Sequence, residues 1–294
     1  MNTHSTVRYL SAPSLILTTI LMSPAHAAPP SASQSGLGLL TVNGGTGGKK
    51  NDDLQLRGAG SGNIDVIDSA AGNAVIGSFT GVTGIEVNLK AGENQLELDN
   101  VDIPDTLTVN GRKKKDTVLV NGALVVGGFL NIALGKGDNH VDGNNGSVTA
   151  INVGLNANVD TGNGDDTIGL AALNVGGHMT IKVGAGNDGV SVTGSIGNRL
   201  IINAGPGDND VVIEDTTAIV AEVFSGRGED DVRVLTTQIV NFTDLITGGG
   251  DDQITTEAST AGNEYRINCG PGDDTLSDGG TPTAVVDCDT TTQL

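Results

Sequence analysis

Apolar and polar residues alternate along this chain in short runs separated by glycine-rich turns. Leu200 and Ile202 precede one such turn, and Val211 and Ile213 follow it. A period of two puts one face of a strand inward and the other outward. The turns share the pattern Gly-x-Gly-x-Asp-x-apolar. Its first position falls at Gly135, Gly162, Gly184, Gly205, Gly226, Gly248 and Gly270, at spacings of 27, 22, 21, 21, 22 and 22 residues. The same period continues toward the N-terminus through Arg112, Lys90, Ser69 and Gly48. The fifth position then reads Asp52, Asn73, Asn94, Asp116, Asn139, Asp166, Asp188, Asn209, Asp230, Asp252 and Asp274, all Asp or Asn. The seventh, from Leu54 and Val75 through Leu96 and Val118 to Ile254 and Leu276, is always apolar. An apolar residue also stands three positions before each of the last ten turns: Val66, Val87, Val109, Ile132, Val159, Ile181, Ile202, Val223, Leu245 and Ile267. A weaker apolar position between these strands, at Val82, Ile103, Val125 and Val175, predicts a third short strand per repeat.

One repeat of this length cannot bury its apolar face alone, whereas stacked repeats share a continuous core. The pattern predicts an all-β chain, a parallel β-helix or β-roll-like solenoid of about eleven coils. At about 4.8 Å per coil it would be on the order of 50 Å long. The usual crossover rule makes it right-handed. The 27-residue spacing implies an extra loop within "DGNNGS", residues 142–147. Gly-x-Gly strings here do not indicate a nucleotide site, because strand alternation continues where a phosphate-binding loop needs a helix.

Residues 1–27 read as a secretory signal peptide, with Arg8 before the run "PSLILTTILM" and "AHA" ending at Ala27. Residues 28–44 then form a linker or N-terminal cap, 45–278 the repeats, and 279–294 a C-terminal cap and tail. With no second long apolar run, the exported chain is expected to lack a membrane span, and its location to be extracellular, at the cell surface, or periplasmic. Its net charge is −20, unevenly spread: residues 28–134 hold 8 basic and 11 acidic residues, and residues 135–294 hold 6 and 24. Such a C-terminal half repels nucleic acid and anionic membranes and attracts cations.

In each turn the glycines permit backbone angles closed to other residues, and Asp or Asn can hydrogen-bond corner amides. Stacking adds a cost, since carboxylates about 5 Å apart repel by roughly 3 kcal/mol at an effective dielectric near 20. Asn139 and Asn209 relieve this, but Asp230, Asp252 and Asp274 follow one another, and the preceding position adds Asp165, Asp208, Glu229, Asp251 and Asp273. A bound calcium ion, which takes six to eight oxygen ligands, would also relieve it. "GNGDDTIGL", "GGGDDQITT" and "GPGDDTLSD" resemble the hemolysin-type, or RTX, calcium-binding repeat. That resemblance implies calcium held between adjacent turns, here by Asp166, Asp188, Asp230, Asp252 and Asp274, with Asp165, Asp208, Asp251 and Asp273 beside them. This chain departs from the family in carrying one turn per 21–22 residues rather than tandem nine-residue repeats, and in its N-terminal leader.

"GRKKKD" at 111–116 is a solvated turn or an anion contact. His140 and His178 have no metal-ligand spacing. Cys269 and Cys288, nearly one coil apart, are placed to close a disulfide that staples the last turn. The expected function is an exported calcium-binding solenoid with a structural, surface or matrix role, with cell-surface or matrix polysaccharide as a partner. The alternative is a parallel β-helix lyase or hydrolase acting on acidic polysaccharide. The repeat supplies so many carboxylates that no catalytic pair stands out.

Overall fold

The computed structural model describes residues 28–45, 51–143, 146–257, 259–262, 264–279 and 284–293. The expected signal peptide, Gly48 and part of the expected loop at 142–147 lie outside these. The described chain is an all-β, parallel solenoid with a period of about 22 residues and about nine turns.

Three columns of inward residues show how alternation becomes a core. In the first sheet Val42, Val87, Val109, Ile132, Val159, Ile181, Ile202, Val223, Leu245 and Ile267 lie in register. The second sheet stacks Leu54, Leu96, Val118, Val141, Ile168, Val190, Val211, Val232, Ile254 and Leu276. The expected third strand exists, with Ile103, Val126, Val153, Val175 and Ile196 aligned. Its inward residue in the fourth repeat is Val126; Val125, one position off, faces outward. β-Branched side chains fill most of these positions because they pack well on a pleated, fully buried face.

The repeat aligned on Ser69 is not a coil. Strands Asp53–Gly58, Ile64–Asp68 and Ala74–Phe79 form an antiparallel meander. Asn73 sits in its tight turn at φ 64°, and Val75 is 57% exposed. Strand Asp53–Gly58 then pairs in parallel with Asn94–Ile103, two periods onward. Val42, not Val66, therefore heads the first column, although Val66 is buried in the meander. An insertion of nearly one period thus imitates a coil in the sequence. Physically it is a cap: together with Ser31–Gln34, which pairs antiparallel with Leu39–Asn43, it covers edges that would otherwise stay unpaired.

At the other end Cys269 and Cys288 form the expected disulfide, with a Cα–Cα distance of 5.2 Å. The bond joins adjacent coils, since Asn268 pairs with Val286. At the 27-residue spacing, the second and third strands, continuous in the next coil as Thr167–Val175, are split into His140–Gly143 and Val148–Val153.

Candidate functional site

The Gly-x-Gly-x-Asp turns form a corner between the first and second sheets. Position 184 shows why glycine is required there: its φ is +94°, and a Cβ would stand 1.5 Å from the Gly162 carbonyl oxygen of the neighbouring coil. The coils touch backbone to backbone, so glycine is needed both for its torsion and for its missing side chain.

Apart from Asn73 in the meander, the fifth-position side chains are buried and tie each coil to the one before it. Asp188 Oδ1 accepts from the Asp166 N–H (2.7 Å), Asp230 Oδ1 from Asn209 N–H (3.0 Å), Asp252 Oδ1 from Asp230 N–H (2.9 Å) and Asp274 Oδ1 from Asp252 N–H (2.9 Å). The row starts at Asp52, whose N–H reaches Asn94 Oδ1, and passes through Asp116, Asn139 and Asp166. It ends where Asp289 Oδ2 takes the Asp274 N–H at 3.3 Å.

The fourth-position side chains form a second row with the opposite sense. Asp165 Oδ1 accepts from the N–H of Asn187 in the next coil (2.9 Å), Asn187 Oδ1 from Asp208 N–H (2.9 Å), Asp208 Oδ1 from Glu229 N–H (3.0 Å) and Asp251 Oδ1 from Asp273 N–H (3.0 Å). This row is exposed. Asp165, Asp208, Asp251 and Asp273 therefore lie on the outer side of the turn wall, and Asp166, Asp188, Asp230, Asp252 and Asp274 on the inner side. Adjacent in sequence, the two sets are separated by burial.

Asparagine shows what the inner place demands. Asn209 Nδ2 donates to the carbonyls of Gly205 (3.1 Å) and Gly207 (2.9 Å), and Asn139 Nδ2 donates to those of Gly135 and Gly137. The Oδ2 atoms of Asp166, Asp188, Asp230, Asp252 and Asp274 are all buried without a hydrogen-bond partner. Burial accordingly pushes these carboxyls above the ordinary range, Asp166 to about 7 and Asp188 and Asp252 to about 6, with Asp230 and Asp274 also raised. Asp116 is pushed up to about 6 by the same cause; its second oxygen takes the Arg112 N–H at 3.4 Å.

Calcium needs six to eight oxygens around one point. Each inner carboxylate has one oxygen committed to a backbone N–H and one enclosed. Among the described residues no group of three or more His, Cys, Asp or Glu side chains is placed to hold a metal. The corner built by "GRKKKD" is exposed from Arg112 to Lys115, with Lys114 at φ 102° and only Asp116 turned in. His140 lies 3.9 Å from Asp142, outside either acidic row.

Sequence reasoning missed a second corner, between the second and third sheets. There Asn100, Ala172, Asp215 and Thr236 take φ of 51°, 53°, 44° and 49°, while Gly122 and Gly194 take 69° and 140°. Its residue types vary, so no consensus marks it. Asp289 was missed as well, because it closes the inner row outside the repeat spacing.

No protein family, characterised protein or solved structure matches this chain. The chain is a β-solenoid, and no comparison ties it to hemolysin-type repeats.

Proposed function

We propose that the protein is an exported structural solenoid working at a cell surface or in a matrix. The carrying observation is the uninterrupted inner row from Asp52 to Asp289, in which a side chain of each coil satisfies a backbone donor of its neighbour. Such interlocking makes a stiff body with long outer faces, suited to display rather than to enclosing a substrate. The first sheet carries two outward amide pairs in neighbouring columns: Asn110 Nδ2 donates to Asn88 Oδ1 at 3.1 Å, and Asn158 Nδ2 to Asn131 Oδ1 at 3.0 Å. Such paired amides can both donate to and accept from sugar hydroxyls. The acidic surface disfavours anionic chains, so neutral polysaccharide is the partner this face suits.

Cell fractionation with antibody detection, followed by co-sedimentation with insoluble neutral polysaccharides, tests the reading. The expected result is an extracytoplasmic protein whose sedimentation falls when Asn88, Asn110, Asn131 and Asn158 are changed together to Ala. A cytosolic protein without sedimentation would refute it. New unsaturated ends after incubation with pectin or alginate would favour the lyase alternative.

A further inference from the structure

We propose that a cavity at the N-terminal end of the first sheet's outer face is a binding subsite for one uncharged sugar ring. This deepens the proposed function and rests on that reading for its choice of ligand.

The cavity has a volume of about 390 Å³, and Leu37, Leu39, Gly84, Glu86, Asp105 and Thr106 are among the residues that line it. Small-ligand sites span about 300–1,000 Å³. Strand alternation builds its floor. Ile85, Val87, Leu107 and Val109 point into the core, so Glu86 and Asn88 face outward on one strand and Thr108 and Asn110 on the next. Glu86 pairs with Thr108 and Asn88 with Asn110, which joins the cavity to the amide pair on the same two strands. Gly84 begins the first of these strands, opposite Leu39, and its φ is not positive. A Cβ there would stand 3.2 Å from the Thr106 carbonyl oxygen and 3.6 Å from Leu39 Cδ1. Glycine in a strand often marks such a place of close approach.

The apolar wall is exposed yet fixed. Leu37 is 90% and Leu39 42% exposed. The turn that carries them is tied down: the Ser35 carbonyl accepts from Gly38 N–H at 3.0 Å, the Gly38 carbonyl from Thr83 N–H at 2.9 Å, and the Leu37 carbonyl from Thr83 Oγ1 at 3.1 Å. Two leucines held in this way form a preorganised surface for the C–H face of a sugar ring.

The polar groups select the ligand class. Glu86 Oε1 accepts from Asn88 Nδ2 at 3.2 Å, and Asp105 Oδ1 from Thr106 Oγ1 at 3.2 Å. These neutral donors orient the carboxylates and leave acceptor capacity for ligand hydroxyls. None of the lining residues is basic, which disfavours an anion. Asp105 is exposed and Glu86 half-buried, so water weakens the charge attraction that would favour an amine over a hydroxyl.

The test is methyl NMR of the disulfide-intact protein, titrated in chelator with cellotetraose and with tetra-N-acetylchitotetraose. Expected are saturable shifts at the Leu37, Leu39, Thr83 and Thr106 methyls. Glu86→Gln/Asp105→Asn and Leu37→Ala/Leu39→Ala should each bind about tenfold more weakly, with core methyls unchanged. Leu37→Ala alone serves if either double variant fails to fold. Co-sedimentation with the insoluble polysaccharides separates the two readings. A wild type that sediments, without shifts at these methyls and with no loss in the cavity variants, overturns the subsite and leaves the proposed function standing. A wild type that does not sediment, yet shifts at these methyls with oligosaccharide, overturns the proposed function and supports the subsite. Tighter binding of the deacetylated, cationic chitotetraose, or shifts that require added calcium, would also overturn the proposal, because the carboxylates would then hold an amine or an ion rather than hydroxyls.

Discussion

Residues at the same position of the repeat carry very different energetic weight in this chain. Leu96 and Val75 occupy the same seventh position of the repeat, yet Leu96 is fully buried and Val75 is 57% exposed. Leu96→Ala should cost about 2–5 kcal/mol in denaturant unfolding, whereas Val75→Ser should stay within about 0.5 kcal/mol. At the glycine corner, Gly184→Ala drives a methyl against the Gly162 carbonyl at an unfavourable φ and should destabilise by on the order of 3–5 kcal/mol. The second corner gives the reverse case. Ala172, at φ 53°, is strained in a way glycine is not, so Ala172→Gly should raise stability by about 1 kcal/mol in the same measurement. The seventh-position pattern was legible in the sequence because side-chain alternation is local. The strain at Ala172 was not, because the bend is imposed by neighbouring coils rather than by alanine.

Among the elements, the two ends are protected differently. The N-terminal end is closed by antiparallel strands, Ser31–Gln34 on one sheet and the meander Ile64–Asp68 and Ala74–Phe79 on another. Truncating residues 28–36 uncovers strand Leu39–Asn43, and the expected outcome is self-association visible by light scattering, with the solenoid's circular dichroism retained. The C-terminal end depends on a covalent staple. Cys269→Ser/Cys288→Ser should leave the central coils intact while amides of Thr275–Asp278 exchange hydrogen faster, since a staple acts chiefly on the segment it closes. Two half-cystines one coil apart were readable from spacing. The meander was not, because its length of nearly one period matches the repeat and its Asn73 satisfies the same turn preference.

For the whole molecule, stability is a sum over coils and their interfaces. Removing residues 184–204 deletes one period and rejoins Val183 to Gly205, leaving the three columns in register. The variant should fold cooperatively with a modestly lower Tm and, by small-angle scattering, a body shorter by about 4.8 Å. Removing about half a period instead should abolish folding, because it puts inward residues outward.

Period, strand content, the parallel stack and the glycine corner with its Asp or Asn were all determined by the sequence itself. Each follows from a preference expressed within a few residues and repeated at fixed spacing. Only the tertiary structure decided that one apparent repeat is a cap, that a second corner bends through unmarked residues, and that neighbouring acids divide between an exposed and a buried row. These depend on which backbone passes alongside: Asp165 and Asp166 differ by one position in the chain, but one meets water and the other meets the N–H and carbonyl groups of adjoining coils. Burial and hydrogen-bond partners, which set the protonation of a carboxyl, are properties of that stacking and are not written in the residue type.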